Sequence, residues 1–388
     1  MDEIKTFTDY CTGCGLCHSI RGAEIIEDGK GYPTPILRQD DISFCKAVCP
    51  CGGNTRVSDR IWGDYESIYY AWASDEVIRK RASSGGVLTT LCIYLLKNNF
   101  VDGIIQTCAS ASPVYSTETT VSKTTDDVIK CMGSRYSISS PLRNIKKLLQ
   151  QGKHYAFVGK PCDVATLRSY AEMDDELKES IKYMFSFFCA GMPSIAAQHQ
   201  LLSSLGTNES DCSRLNYRGD GWPGYASATC KDGSVKQMTY DESWGKILGR
   251  EVRRICRFCF DGIGISADIS CGDAWYKGKD NKPDFRENNG RNVVFLRTES
   301  GRDIFEDCLK SGEIMGNQYH EDDLQIIQKY QFDRRNTMIS KIAALRICRK
   351  TYPMYSIAIM KELAKNASLR HHLSILKGTI KRCHTGKI

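Results

Sequence analysis

The sequence has 388 residues, of which 41% are hydrophobic, 10% aromatic and 26% charged. This composition excludes a disordered chain, and the length suffices for two or three small domains. The longest nearly uncharged apolar stretch, residues 86–96, is much shorter than the roughly 18–20 residues of a membrane-spanning helix. The first residues carry acids and no apolar segment, which argues against a secretory signal and predicts a cytoplasmic protein.

Positive charge is concentrated in a C-terminal tail. Residues 341–388 contain eleven Lys and Arg side chains against a single acid, Glu362, whereas the rest of the chain is mildly acidic. An acidic body without interleaved basic and aromatic residues argues against a nucleic-acid-binding protein. The basic tail has two interpretations: a solvated helical cap, or a docking site for an acidic partner or an anionic membrane surface.

Periodicity predicts a small N-terminal segment followed by an α/β layer. Residues 1–60 are rich in Cys, Gly, Pro and Asp, so this segment needs an inorganic core. The elements predicted next, in chain order, are strand 66–73, helix 86–98, strand 101–107, helix 141–151, strand 155–159, helix 162–171, strand 182–188 and helix 194–205. A hairpin around Asp232 and Gly233 follows, then strand 292–298, helix 302–310 and a helical tail.

The chain contains 19 cysteines, and a large odd number without a secretory signal favours metal ligands and buried thiols over disulfides. Cys11, Cys14 and Cys17 have the spacing CxxCxxC, and Cys49 precedes Pro50. This is the ligand pattern of a cubane iron–sulfur cluster, which takes three thiolates from one loop and a fourth from a distant segment.

The second half of a two-cluster ferredoxin pattern is degenerate. Gln39 and Ile42 stand where cysteines would bind a second cluster, so we predict a single N-terminal cluster. Cys45 and Cys51 are alternative fourth ligands for it. A zinc knuckle is the other interpretation, but zinc sites usually pair two CxxC motifs, so three closely spaced cysteines suit a cubane better.

Four further cysteines form a second candidate ligand set. Cys162 and Cys189 each follow a predicted strand, where open α/β sheets bind ligands, and Cys256 and Cys259 form a CxxC pair. Spacing alone leaves open whether these four bind a second cubane, bind zinc or are simply buried, and Cys271 is a fifth candidate. We interpret the isolated cysteines as buried or incidental: Cys92, Cys108, Cys131, Cys212, Cys230, Cys308, Cys348 and Cys383.

Two loops of small residues are candidates for binding a phosphate group. The first precedes a predicted helix, whose N-terminal N–H groups attract anions, and comprises Ser83, Ser84, Gly85 and Gly86. The second places a cation and a hydroxyl beside a glycine turn and comprises Gly133, Ser134, Arg135 and Tyr136. An ordinary serine N-cap also explains the first loop. A third loop, residues 218–224, is either a cover for a planar ligand or a surface turn.

The order and spacing of short motifs resemble those of the coenzyme F420 hydrogenase/dehydrogenase beta-subunit family, in its form with an N-terminal ferredoxin segment. Its relatives include 7-hydroxymethyl chlorophyll a reductase. The motifs are CTGCGLC, RASSGG, GSRY, VGKPCD, FFCAG, RGDGWPG, CRFCFDG and ADISCGDAW. The resemblance implies an α/β (α+β) fold that begins with a 4Fe–4S ferredoxin-type domain (1–60). The N-terminal (61–140) and C-terminal (141–315) regions of the family would then form a mixed-sheet FAD-binding domain. A helical basic tail (316–388) would follow.

The resemblance also implies cofactors and their ligands. These are FAD and one or two [4Fe–4S] clusters, the second of which would lie on the four cysteines 162, 189, 256 and 259. Both small-residue loops would hold the pyrophosphate and ribose region of FAD. Lys160, Asp268 and Asp273 would lie near the isoalloxazine ring or its substrate. No side chain is predicted to be catalytic.

Such a protein would be an oxidoreductase that passes electrons between one-electron and two-electron carriers. The one-electron partner would be ferredoxin or another redox protein, and the two-electron partner coenzyme F420 or another small molecule. A flavin connects the two because it exchanges electrons singly or in pairs. The alternatives are a non-catalytic electron-transfer subunit of a larger complex and a ferredoxin-driven reductase in polysaccharide biosynthesis.

Overall fold

The computed structural model describes residues 2–53, 57–386 and 388. Its strands are β1 (Ile25–Glu27), β2 (Pro33–Pro35), β3 (Ser67–Ala73), β4 (Gly103–Ala109), β5 (Thr117–Ser122), β6 (Tyr155–Gly159), β7 (Ile181–Phe187), β8 (Cys212–Asn216), β9 (Tyr225–Cys230), β10 (Val235–Thr239), β11 (Ile269–Asp273), β12 (Tyr276–Lys277), β13 (Pro283–Asp284), β14 (Asn292–Leu296) and β15 (Ile314–Gln318). In the described part of the chain, eight of them form one mixed sheet in the order β15-β3-β14-β11-β7-β6-β4-β5.

Helices cover both faces of this sheet and surround its ends. They are α1 (Glu3–Asp9), α2 (Leu16–Arg21), α3 (Ile42–Val48), α4 (Glu76–Arg81), α5 (Val87–Lys97), α6 (Thr125–Lys130), α7 (Ile145–Leu148), α8 (Pro161–Ala171), α9 (Asp175–Ser180), α10 (Ile195–Ser204), α11 (Arg254–Arg257), α12 (Glu299–Lys310), α13 (Leu324–Ile327), α14 (Lys329–Asn336), α15 (Met338–Ile347), α16 (Ile357–Ala364) and α17 (Leu369–His384). Among the described residues, no helix is both long enough and apolar enough to cross a membrane.

The central strands are apolar on both faces because helices cover each side. Ile104 packs against the cluster formed with α5 and α12, whereas its neighbour Ile105 packs against the cluster formed with α8. Successive strand residues point to opposite faces, so a doubly covered strand is apolar without alternation. Strands β4, β6, β7 and β11 run parallel to one another, which brings their carboxyl ends to one edge of the sheet. The mixed α/β architecture predicted above is confirmed.

The N-terminal segment packs on this body. Helices α1 to α3 and the β1–β2 hairpin surround the first cysteine motif. Leu16 and Val48 are buried in the same cluster as residues of α8, and Phe7 is buried in a cluster with Phe258 and Met338. A segment too small to form its own core is therefore stabilised by apolar contacts with the larger domain.

The basic tail is helical, as predicted, and part of it belongs to the core. Met338, Leu345 and Leu363 are buried in the same apolar cluster as residues of α1 and α3. The exposed side of α17 is mixed: Arg370 and Lys377 lie in solvent, and so do Leu369 and Leu373. The inner helices of the tail are therefore structural, and a docking role for the outer face stays a prediction.

The prediction of a helix over residues 141–151 is mostly wrong, because only Ile145–Leu148 is helical. The preceding residues form tertiary contacts instead. The Leu142 N–H donates to the carbonyl of Cys14 at 2.9 Å, and the Ser140 hydroxyl donates to the carbonyl of Gly13 at 2.7 Å. Hydrogen bonds to the first cysteine loop thus replace the helical bonds of this segment, an outcome that local propensity does not encode.

Candidate functional site

A cavity of about 510 Å³ lies at the carboxyl edge of the parallel strands. Gly159, Phe187 and Asp273, the last residues of β6, β7 and β11, line it. This edge is where open α/β sheets bind ligands, because the loops that leave the strands diverge there. A cavity of this size, with both apolar and polar lining residues, could hold an organic cofactor.

The two small-residue loops meet at this cavity. The Ser134 N–H donates to the Ser83 hydroxyl oxygen at 2.6 Å, which joins the loops directly. The Ser84 hydroxyl donates to the carbonyl of Arg291 at 2.9 Å and anchors the first loop to the chain before β14. The predicted loop residues that line the cavity are Ser83, Ser84, Gly86, Gly133, Ser134, Arg135 and Tyr136.

Gly85 lies behind the cavity wall and packs against the sheet. Its carbonyl accepts a hydrogen bond from the Ala73 N–H at 2.7 Å. A Cβ atom at this position would lie 2.8 Å from the Ala71 carbonyl oxygen and 2.7 Å from the Asn292 side-chain oxygen. Such contacts are too short for carbon and oxygen, so this glycine sets how closely the first loop approaches β3 and β14.

We expect Gly85→Ala to destabilise the protein by about 1–3 kcal/mol, because the added methyl group must displace backbone atoms of two strands. The midpoint of urea unfolding would measure the loss. Gly29→Ala is the matched control, since nothing lies within 4 Å of its added Cβ. An equal shift in both variants would contradict this packing role.

Asp273 is paired with a buried arginine. Its carboxylate accepts two hydrogen bonds from Arg218, at 2.9 and 3.0 Å, and one from the Trp222 indole N–H at 2.8 Å. The Arg218 guanidinium lies over the rings of Tyr240 and Trp275, 4.9 and 5.3 Å from their centroids. A bidentate charge pair stacked on aromatic rings gives this wall of the cavity a fixed geometry.

The loop 218–224 packs into the wall of the cavity, which Arg218 lines. Trp222 is buried and stacks on Trp275, with ring centroids 4.7 Å apart and an interplanar angle of 6°. Sequence reasoning did not identify Arg218 or the aromatic residues as lining residues. These aromatic residues are Phe187, Phe188, Tyr240, Trp244, Trp275, Phe285 and Tyr330. The sequence signal was weak, since they come from separate segments and share no spacing.

Lys160 lies between the cavity and the second cysteine set. Its ammonium group is 2.7 Å from the Asp163 carboxylate and donates to the Ser139 hydroxyl at 2.7 Å. Burial opposes its charged form, but the charges of Asp163 and Cys162 hold the pKa of Lys160 above its usual value. Lys160 and Asp163 therefore form a buried ion pair at the cavity wall.

Asp268 lies away from the cavity. Its carboxylate accepts hydrogen bonds from Arg168 at 2.8 Å, from the Met184 N–H at 2.7 Å and from Thr298 at 3.0 Å. It precedes β11, whereas Asp273 ends that strand, and five strand residues span roughly 16 Å. The two aspartates of one sequence motif thus lie at opposite ends of β11. Asp268 therefore has a structural role.

The structure brings together the four cysteines of the second set. Cys162 is in the first turn of α8, Cys189 follows β7, and Cys256 and Cys259 lie in and after α11. Burial raises the pKa of Cys189 to about 11, and the neighbouring Cys256 sulfur adds to this shift. The Cys189 and Cys259 sulfurs lie close enough to raise the pKa of Cys162. Thiols from three separated segments are thus close enough to interact with one another beside the cavity.

Hydrogen-bond donors and a buried cation surround these sulfurs. Burial raises the pKa of Cys189 and Cys256, and the nearby backbone N–H groups of Gly191 and Met192 oppose this shift. The Arg334 guanidinium donates to the carbonyl oxygens of both cysteines at 3.1 Å. Positive charge and N–H donors are the surroundings that anionic thiolate ligands require.

In the first cysteine site, six cysteine side chains line one apolar cavity: Cys11, Cys14, Cys17, Cys45, Cys49 and Cys51. The Gly13 N–H donates to the Cys11 sulfur at 3.3 Å. Burial raises the pKa of Cys14 to about 11. The predicted fourth ligand Cys49 and its two alternatives, Cys45 and Cys51, therefore line the same cavity.

The two cysteine sites are neighbours. Asp163 is close enough to raise the pKa of both Cys14 and Cys162. Tyr355 likewise lies close to both Cys51 and Cys259, and its hydroxyl donates to the carbonyl of Phe258 at 2.9 Å. The start of α8 and a tyrosine of the tail therefore separate the two sites.

Both donor sets fit iron–sulfur clusters. Each consists of thiols only, with backbone N–H groups directed at sulfur. The buried Nη1 of Arg253 makes no hydrogen bond in the described part of the chain and lies against Gly13 of the first site, where an anionic group would satisfy it. Within the described residues, no three His, Cys, Asp or Glu side chains converge on the position of a single metal ion.

Cys271, the fifth candidate for the second site, lies elsewhere. It is buried on β11 at the floor of the cavity. Burial raises its pKa, and its only close ionisable neighbour among the described residues is Cys92, on α5. Cys271 is therefore not one of the converging thiols.

Two adjoining segments match models of one protein family. Residues 68–147 match the N-terminal domain of the beta subunit of coenzyme F420 hydrogenase/dehydrogenase. Residues 152–322 match the C-terminal domain of the same beta subunit. Together the matches cover most of the main sheet and the cavity. The N-terminal cysteine motif and most of the tail lie outside both.

Individual proteins show the same relationship. The F420-dependent formate dehydrogenase subunit beta of Methanocaldococcus jannaschii is 26% identical over 67% of this chain. The 7-hydroxymethyl chlorophyll a reductase of Oryza sativa is 22% identical over 76% of this chain. The matches span 64% and 60% of the lengths of these two relatives.

A solved structure shows the fold. A chain from the F420-reducing [NiFe] hydrogenase complex of Methanosarcina barkeri superposes with a TM-score of 0.61 at 19% identity, over 78% of this chain and all of that one. The resemblance inferred from the motifs is thereby confirmed. The chain belongs to the coenzyme F420 hydrogenase/dehydrogenase beta-subunit family of oxidoreductases.

Proposed function

We propose that this protein is an iron–sulfur flavoprotein that passes electrons between a one-electron carrier of the ferredoxin type and a two-electron organic molecule. One observation carries the proposal: four thiols from separate segments converge beside an aromatic cavity, and Cys189 belongs to both features. Electron exchange between a cluster and an organic cofactor requires such proximity. A flavin supplies the conversion between single electrons and electron pairs.

The residues of the chain have distinct roles in this proposal. The cysteines of the two sites bind [4Fe–4S] clusters. The joined loops with Ser83 and Ser134 bind the pyrophosphate of FAD, together with the N-terminus of α5 and the charge of Arg135. Aromatic side chains of the cavity pack on the flavin ring and exclude water. Lys160 and Arg218, each held in place by an aspartate, present N–H donors that orient a polar group of the bound molecule.

Coenzyme F420 is one candidate for the two-electron molecule, because several relatives are named for it. The relative from Oryza sativa is named for a chlorophyll derivative instead. The substrate class is therefore a small organic electron acceptor or donor.

A second candidate function is electron transfer as a subunit, without a substrate of its own. It is favoured by the matching hydrogenase chain, which is part of a complex. The two functions differ in what the isolated protein does. A subunit would reduce only a protein partner, whereas an enzyme would oxidise or reduce a small molecule in the absence of other chains.

Anaerobic purification followed by iron, acid-labile sulfide and flavin analysis tests the proposal. We expect about eight iron atoms, about eight sulfides and one FAD per chain. About four iron atoms with FAD would mean that one cysteine site is not a cluster site. Zinc without flavin would contradict the proposed oxidoreductase function.

A further inference from the structure

A buried arginine, Arg253, connects the second cysteine site to the N-terminal segment. Arg253 is only 5% exposed, and its guanidinium lies over the Tyr32 ring, 5.2 Å from the centroid. Its Nη2 atom donates to the Pro33 carbonyl at 2.9 Å and to the Thr34 hydroxyl at 3.1 Å. Pro33 and Thr34 belong to β2. Stacking and hydrogen bonds therefore fix this side chain against the β1–β2 hairpin.

The guanidinium of Arg253 lies against the first cysteine loop. A Cβ atom at Gly13 would lie 2.5 Å from its Nη1 atom and 3.4 Å from its Cζ atom. Gly13 stands between Cys11 and Cys14, and its N–H donates to the Cys11 sulfur at 3.3 Å. Nη1 is buried and makes no hydrogen bond within the described residues. The guanidinium thus takes the place of a side chain at position 13, with one donor nitrogen unpartnered beside the loop.

The backbone of Arg253 is joined to the second cysteine site. The Cys256 N–H donates to the Arg253 carbonyl at 3.0 Å, at the start of α11. The Arg253 N–H donates to the carbonyl of Met192 at 2.9 Å, in the segment that follows Cys189. One residue therefore contacts segments of both cysteine sites. Sequence reasoning did not find it, because Arg253 and Gly13 are 240 positions apart.

No carboxylate neutralises this buried charge in the part of the chain that the structure describes. The adjacent Arg254 is 3.7 Å from Asp9, and Lys160 is 2.7 Å from Asp163. For Arg253, by contrast, no carboxylate oxygen among the described residues lies within 4 Å of the guanidinium. A buried charge is costly unless an opposite charge and hydrogen bonds compensate it. Thiolate ligands on either side of Arg253 would supply the missing negative charge.

We propose that Arg253 is a positioning residue whose guanidinium is the shared counter-charge of the two proposed iron–sulfur clusters. The inference rests on the proposed function, because it needs a cluster at each cysteine site. A fixed positive charge favours the state of a cluster that carries one more electron, and reduction potentials depend on such surroundings. Arg253 therefore raises the reduction potentials of both clusters. The effect is larger for the first cluster, whose loop the guanidinium contacts.

Redox titration of the purified holoprotein, followed by electron paramagnetic resonance, tests the proposal. Arg253→Gln removes the charge but keeps an N–H donor for the Pro33 carbonyl, whereas Arg253→Met removes both. We expect both reduction potentials to become more negative in these variants, with the larger shift in the first cluster. Arg253→Lys should keep both potentials near the natural values, because it keeps the charge. If Arg253→Gln and Arg253→Met lose iron while Arg253→Lys retains it, the positive charge is needed to hold the clusters, which also supports the proposal.

Arg297→Gln is the matched control for loss of a buried arginine. Arg297 is also buried, lies over the Phe295 ring at 4.9 Å from the centroid and donates to the Trp62 carbonyl at 3.0 Å. Its strongest ionisable neighbours are Asp261 and Arg335 rather than thiols of either site. We expect this variant to lose stability but to keep both reduction potentials.

Three outcomes would overturn the shared role of Arg253. These are unchanged potentials in Arg253→Gln, a shift confined to one cluster, and an equal shift or loss of iron in Arg253→Lys. Failure of the proposed function has a different signature, because the natural protein itself would then lack iron at one or both cysteine sites. Full iron content with unchanged potentials would reject only the role of Arg253.

Discussion

Replacing Cys162 with serine is expected to remove about four of eight iron atoms per chain and to abolish turnover, while most of the flavin is retained. Cys162 lies among the four converging thiols, and a serine hydroxyl is a poor ligand for a cubane cluster. Flavin is retained because Cys162 does not line the cavity, whereas Lys160 and Asp163 beside it do. Metal, sulfide and flavin analysis of the purified variant measures the outcome.

Cys271→Ala is the matched control for this prediction. Cys271 is also buried near the carboxyl edge of the sheet, but it lies beside Cys92 rather than the converging thiols. We expect this variant to keep its full iron content. Normal iron and normal turnover in Cys162→Ser would show that the second cysteine site holds no cluster needed for electron transfer.

Replacing Arg334 with methionine is expected to make the reduction potential of the second cluster more negative. The guanidinium is buried and donates to the carbonyl oxygens of Cys189, Ala190 and Cys256 at 3.0–3.1 Å. A fixed positive charge favours the state with one more electron, and cluster potentials depend on such charges and on burial. Removing the charge therefore disfavours reduction.

Arg334→Met also removes three hydrogen bonds to carbonyl groups, which costs on the order of 3 kcal/mol of folding stability. The Cys189 and Ala190 carbonyls keep Gln331 and Tyr330 as donors. A redox titration followed by electron paramagnetic resonance separates the two effects. Arg334→Lys should lose stability but keep a potential nearer the natural one, since it keeps the charge. Arg370→Met, on the exposed side of α17, is the control. An unchanged potential in Arg334→Met would refute an electrostatic role.

The tail carries more of the site than its composition indicates. The family match ends at residue 322, yet Gln331 and Arg334 of α14 both donate to the Cys189 carbonyl. Tyr355, further along the tail, lies close to thiols of both cysteine sites. The basic composition alone predicted a cap or a docking surface. The inner helices instead pack beside the proposed cluster sites. Their apolar side chains limit the access of solvent to these sites.

The sequence by itself determined the features that depend on neighbouring residues. The strand at 155–159 and the helix that follows the small-residue loop at 83–86 were predicted correctly. Strand alternation with helices was enough to predict a mixed α/β fold. The motif order was enough to identify the family. Each single element and motif lies within a short stretch of sequence, where side-chain spacing controls backbone conformation.

Only the tertiary structure decided which distant residues meet. Asp268 and Asp273 share one motif but lie at opposite ends of β11, whereas Ser83 and Ser134 belong to separate motifs and are joined by a hydrogen bond. The arginine that faces the second cysteine site comes from helix α14, more than 70 residues beyond Cys259. These contacts follow from the order in which β4, β6, β7 and β11 lie in the sheet. Strand order is set by packing across the whole chain, and no local spacing encodes it.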